Sequence, residues 1–286
     1  MKIDRFELDG SLVAGMFTNI PAMDGCLLNG LVYYYKKTKE TAVKDILVSY
    51  GNTWIDKDGS LKSIEDAGFA KFYAGNLLYF LYEETKDEKY RKAIESIKTG
   101  IEKKERTENG TICVEKTAGN LAIFCALSNL LPFYMRYETT FHKKENYNDV
   151  MLQFNNIRDS FFDESSKLYL KEEASVTDMA WFALSLAQTI EATSEEIYEQ
   201  YHTLQAMLRE TVKGLLAYEK LKKADASALF MLSAAMTKGC RERALLTEKY
   251  ETKAEELRLA ALGLVDEKQL LSDSVLLGAM TMAYTV

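Results

Sequence analysis

A helix-end phrase returns about every fifty residues along the chain, and that period constrains the fold more than any other feature. The phrase is the end of an amphipathic helix, a short polar turn and a small apolar step. It reads Trp54-Ile-Asp-Lys-Asp-Gly-Ser-Leu61, then Lys103-Lys-Glu-Arg-Thr-Glu-Asn-Gly-Thr-Ile112. It returns as Phe162-Asp-Glu-Ser-Ser-Lys-Leu-Tyr169 and Leu264-Val-Asp-Glu-Lys-Gln-Leu-Leu271, with a weaker copy at Leu216-Ala-Tyr-Glu-Lys-Leu221. Aligning Leu61, Ile112, Leu168, Leu221 and Leu270 gives spacings of 51, 56, 53 and 49. A repeat of this length is one supersecondary unit that buries its apolar face only against its neighbours.

A second phrase falls midway in each period. It is Lys37-Thr-Lys-Glu-Thr41, Glu84-Thr-Lys-Asp-Glu-Lys-Tyr90, His142-Lys-Lys-Glu-Asn-Tyr147, Thr193-Ser-Glu-Glu-Ile-Tyr198 and Leu246-Thr-Glu-Lys-Tyr250. Each reads as a helix–helix turn with a Thr, Ser or Asp to cap the next helix. A period is therefore a pair of helices. The first is apolar nearly all round: 67–82 carries one charge, Lys71, and 118–135 and 179–190 carry none. Such a helix is buried on every side. The second is amphipathic and rich in Lys and Glu, so one face meets solvent. With only two prolines, Pro21 and Pro132, little interrupts these helices.

Inner helices sheathed by outer ones predict an all-α toroid, an (α/α)6 barrel, as one domain over 1–286. The inner helices are expected at 22–36, 66–83, 118–137, 177–191, 225–239 and 273–284. The outer ones are expected at 40–54, 87–104, 145–161, 195–217 and 247–264, which leaves one outer helix missing. An open superhelix of hairpins is the alternative. The buried inner helices favour the closed ring.

In such a ring the inner helices run parallel and their N-termini gather at one end. That end suits an acidic or hydroxyl-rich ligand. Asp24, Asp66, Thr117, Asp178, Asp225 and Asp273 lie there. For any one of them capping is the commoner role. Collectively they put several carboxylates around one mouth, which is what glycoside chemistry uses. Aromatic candidates for stacking on a sugar are Phe69, Phe72, Tyr73, Phe182 and, best placed, Trp181. Core filling is the ordinary fate of such rings. Lys71, a lone cation in a buried helix, either snorkels to the rim or faces a wet cavity holding an anion.

The formal charge of −7 argues against nucleic acid as a partner. The first residues lack an apolar core, and no run of 18 apolar residues occurs, so neither a signal peptide nor a membrane span is expected. Cys26, Cys113, Cys125 and Cys240 are scattered without CxxC spacing. They read as reduced thiols of a cytoplasmic protein. Two histidines, His142 and His202, leave little for a metal site, and no dinucleotide or phosphate-loop motif calls for a cofactor.

The chain resembles the unsaturated glucuronyl and rhamnogalacturonyl hydrolases, glycoside hydrolase families 88 and 105. The likeness rests on Trp54-Ile-Asp-Lys-Asp-Gly-Ser-Leu61, Leu81-Tyr-Glu-Glu-Thr-Lys-Asp-Glu-Lys-Tyr90, Pro132-Phe-Tyr-Met-Arg-Tyr137, Met179-Ala-Trp-Phe-Ala-Leu184 and Gly278-Ala-Met-Thr-Met-Ala-Tyr284, in family order. It implies a six-hairpin barrel that takes an acidic oligosaccharide ending in a 4,5-unsaturated uronic acid. It also implies hydration of the vinyl-ether bond by an Asp acting as general acid and base. Glu65-Asp66-Ala-Gly-Phe69 matches the motif of that Asp, so the resemblance makes Asp66 catalytic. Asp24, Lys71, Tyr73, Asp178, Trp181 and Asp225 are the expected substrate-binding residues. Cys125 stands where the family has a second Asp, and Thr177 where it has an Arg. A thiol with an ordinary pKa near 8.5 is a poor substitute for a carboxylic acid. The resemblance therefore implies weak or lost turnover. The alternatives are an inactive barrel that binds carbohydrate or protein, and a toroid epimerase, which would need paired histidines this chain lacks.

Overall fold

The computed structural model describes residues 25–62, 68–113, 115, 117–265 and 267–286. Asp24 and Asp66 lie outside the described residues. Helices α1 (Gly25–Thr38) and α2 (Thr41–Trp54) form the first inner–outer pair. The second is a broken inner helix, α3 (Ala70–Ala74) and α4 (Asn76–Thr85), with the outer α5 (Glu88–Glu102). The third is α6 (Asn120–Thr140) with α7 (Tyr147–Phe161). After strands β1 (Phe162–Asp163) and β2 (Leu168–Tyr169) come α8 (Val176–Ala192) and α9 (Tyr198–Ala217). The fifth pair is α10 (Ala226–Arg241) with α11 (Thr247–Leu262), and a short α12 (Glu267–Ser272) leads into the last inner helix, α13 (Ser274–Thr285).

The inner helices close a ring. Helix α1 packs on α3 and α4, α3 on α6, α6 on α8, α8 on α10, α10 on α13, and α13 returns to α1. This is the (α/α)6 barrel, and it settles the choice against an open superhelix. Closure depends on two glycines. A Cβ on Gly30 would lie 2.8 Å from the Gly278 carbonyl oxygen, and one on Gly278 would lie 2.4 Å from the Cys26 carbonyl carbon. Only the missing side chains let the two backbones approach this closely.

A backbone acceptor left open inside the ring is matched from a neighbouring helix. Pro132 has no N–H, so the Ser128 carbonyl four residues back loses its helical partner. Ser185 on α8 fills the vacancy, its Oγ donating to that carbonyl at 2.6 Å. The break at Gly75 lies against α6, where a Cβ would meet Phe133 at 3.1 Å.

Three copies of the repeated phrase are not simple turns. They are miniature hairpins that end an outer helix: Ile55 bridges Leu61, Arg106 bridges Ile112, and Phe162 pairs with Tyr169. Gly59 (φ +91), Gly110 (φ +83) and Lys167 (φ +59) supply the left-handed residue each turn needs. The copies at 216–221 and 264–271 show no such pairing among the described residues: Glu219–Lys223 is a 3-10 turn, and Glu267–Ser272 is α12.

Candidate functional site

The hairpins and the N-termini of α6, α8, α10 and α13 share one end of the barrel. Free N–H groups and the positive ends of the helix dipoles therefore point at its mouth. Asp225 and Asp273 are N-caps, as expected, accepting from Ala228 N at 2.8 Å and Leu276 N at 2.9 Å. Asp178 is not itself the cap. Ser175 caps α8, and Asp178 closes a capping box by accepting from Ser175 N at 2.9 Å and Ser175 Oγ at 2.7 Å. Thr117 does not cap α6 either; Gly119 holds that place without a side-chain bond.

Each cap uses only part of its carboxylate. The Oδ1 of Asp178 takes the Cys125 thiol at 3.8 Å, and the Oδ2 of Asp225 takes the Thr177 hydroxyl at 2.7 Å. Three inner helices, α6, α8 and α10, thus meet through Cys125, Asp178, Thr177 and Asp225. Burial, with Asp178 beside it, pushes the Cys125 thiol up to about 11. It stays a neutral donor at ordinary pH rather than a thiolate nucleophile.

Trp181 lies one turn beyond Thr177 and is half-buried. Its ring centroid is 4.6 Å from that of Tyr73. Its Nε1 is shielded and has no hydrogen-bond partner among the described residues. Tyr73 is only 1% exposed and donates to Gln188 Oε1 at 2.7 Å, so it supports Trp181 from beneath and does not reach the opening. Burial pushes its phenol well above the ordinary value. Phe69, Phe72 and Phe182 are buried core residues; Phe182 packs 4.9 Å from both Phe124 and Tyr169. Lys71 is half-buried on α3, its Nζ 5.8 Å from the Phe72 ring centroid.

Two features of this region were not anticipated from the sequence. The Ser175 capping box is one, although Ser-x-x-Asp ahead of an apolar run was the available signal. The other is a cleft of about 850 Å³ outboard of the ring, lined by Arg106, Asn109, Asn120, Ser160 and Phe161. The long connection between Lys103 and Gly119 was its only hint. Arg106 is fixed there by a bidentate pair with Asp149 at 2.7 and 2.9 Å. No group of three His, Cys, Asp or Glu among the described residues is placed to hold a metal ion, and none of the described helices is long and apolar enough to cross a membrane.

The family model Glycosyl Hydrolase Family 88 matches residues 23–277. Among solved structures, a glycoside hydrolase from family 105 of C. acetobutylicum ATCC 824 superposes with a TM-score of 0.78 at 20% identity, over 97% of this chain and 98% of that one. A possible member of the GH105 family from Klebsiella pneumoniae subsp. pneumoniae MGH 78578 gives 0.77 at 14% identity, over 99% and 94%. A glycosyl hydrolase family 88 protein from Bacteroides vulgatus gives 0.67 at 12%, over 96% and 95%. At these identities the structures show a shared fold.

Proposed function

The chain belongs to Glycosyl Hydrolase Family 88, and on that footing we propose that it hydrates the vinyl ether of a 4,5-unsaturated uronic acid at the end of an oligosaccharide. Asp66 is the general acid and base. It delivers a proton to C4 and then takes one from the water that adds at C5. The hemiketal so formed opens and the remaining sugar leaves. The match of Glu65-Asp66-Ala-Gly-Phe69 to the family motif supports this role.

Asp178 supplies the second carboxylate. The single observation that carries this reading is the 3.8 Å contact between Cys125 and Asp178. The position where the family has its second Asp touches a carboxylate on the next inner helix. Trp181, half-buried and braced by Tyr73, offers its exposed ring surface to the sugar. Asp225 completes the polar mouth, and Asp24 is a further substrate-binding residue offered by the sequence alone. Lys71 holds the substrate carboxylate in place of the arginine that Thr177 replaces. A flexible ammonium is a weaker clamp than a guanidinium fork, so turnover is slow for the family. The four cysteines are thiols rather than disulfides, which supports a reducing, cytoplasmic setting.

One observation favours a second reading, a barrel that binds carbohydrate without turnover. Asp178 and Asp225 are both already engaged as helix-end acceptors. Incubation with a panel of unsaturated uronyl disaccharides separates the two. Loss of the double bond's ultraviolet absorbance supports hydration. Binding with the absorbance intact supports the second reading.

A further inference from the structure

At the end opposite the mouth, a cavity of about 300 Å³ is lined by Lys36, Lys37, Lys238 and Arg241, with Glu191 and Glu242 between them. Glu191 is thirteen residues along α8 from Asp178, about 20 Å at the helical rise, so this is not the mouth. Four cations thus face two carboxylates. Glu191 is fully used: it accepts from Lys238 Nζ at 2.7 Å, Tyr33 Oη at 2.8 Å and Arg136 Nη2 at 3.5 Å. Burial opposes its ionisation, but Lys238 and Arg136 outweigh burial and hold it down at about 2. Among the described residues Lys36 has only Glu83 at 3.9 Å as a carboxylate partner, and Lys37 donates to the Tyr284 carbonyl at 2.7 Å.

The bland explanation is that these cations complement helix C-termini. Lys36 and Lys37 end α1, and Lys238 and Arg241 end α10. That accounts for each helix alone. It does not account for both sets sharing one cavity, where they repel each other. Although both side chains reach solvent, partial desolvation in the cavity and Arg136 push the Lys36 ammonium down, and partial desolvation, Arg241 and Arg258 do the same to Lys37. A doubly charged anion between them would relieve this repulsion.

We propose that this cavity binds a small tetrahedral dianion, inorganic phosphate or the phosphate group of a sugar monoester, between Lys36 and Arg241 with Lys238 beneath. The site is independent of the chemistry assigned to the mouth. Lys36 and Arg241 are exposed, so replacing them leaves the core untouched.

The test is thermal unfolding in sodium phosphate or glucose 6-phosphate against sodium chloride at matched ionic strength. At ten times Kd, one-site linkage raises Tm by about 2 °C for a domain of this size. The expected result is such a rise in the native protein and none in K36Q/R241Q. A larger rise with the monoester identifies a phosphorylated sugar as the source; an equal rise identifies free phosphate. As a second measurement, calorimetric titration of R241Q with phosphate should show Kd weakened about tenfold or more by loss of a charge-assisted contact. No rise above chloride, or an equal rise in K36Q/R241Q, overturns the proposal, as does an unchanged Kd in R241Q.

Discussion

The thiol of Cys125 lies 3.8 Å from Oδ1 of Asp178, a contact between the third and fourth inner helices. The carboxylate that residue 125 does not carry is thus present one helix away, in reach of the same part of the mouth. Asp178→Asn should lower kcat on an unsaturated uronide by about a hundredfold, the lower range for removal of a positioned acid or base. Asn keeps an acceptor for Ser175, so Tm should move little. Wild-type kcat in this variant would confine Asp178 to capping.

Restoring the family residues tests the same region from the other side. Cys125→Asp with Thr177→Arg should raise kcat/KM by about tenfold to a hundredfold, since a charge-assisted clamp contributes about 1.5–3 kcal/mol. The carboxyl introduced at position 125, beside Asp178, should also titrate high through like-charge repulsion. An unchanged rate would mean that these positions do not correspond to the family's Asp and Arg.

Ring closure makes a prediction about stability. Gly278→Ala should destabilise the fold by about 1–3 kcal/mol through overpacking against α1, read as a lowered denaturant midpoint. Ser185→Ala should cost about 1–3 kcal/mol, because it strands the carbonyl that Pro132 leaves open. An unchanged midpoint in either variant contradicts the close approach or the hydrogen bond on which it rests.

Glu191 gives a pH dependence. Its folded pKa, about 2, is below the unfolded value of about 4.3. Its contribution is therefore fully present above about pH 4.3 and is lost as pH falls towards 2. Glu191→Gln should flatten this part of the stability profile, measured by denaturant unfolding at stepped pH. A profile with the wild-type slope would show that Glu191 is not held ionised by Lys238 and Arg136.

The helix pairs were legible because burial on all sides and burial on one side leave different patterns in sequence. The expected span 225–239 is observed as Ala226–Arg241, and 147–161 falls inside the expected 145–161. The split at Gly75 was not legible, since it answers to Phe133 on a helix distant in sequence. The hairpins were hidden because each pairs too few residues to show a two-residue alternation. The Cys125–Asp178 and Thr177–Asp225 contacts join residues 53 and 48 positions apart, which only ring geometry brings together. The Glu191 cluster escaped for the same reason: its members come from four different inner helices. The roles of Asp24 and Asp66 rest on sequence alone.

The most direct measurement of the central claim is the rate at which native protein and Asp66→Asn remove the double bond of an unsaturated uronyl disaccharide, with Tm measured on both. The expected result is measurable loss of absorbance by the native protein and none by Asp66→Asn at an unchanged Tm. No loss by the native protein across the panel, or an equal rate in a folded Asp66→Asn, would contradict it.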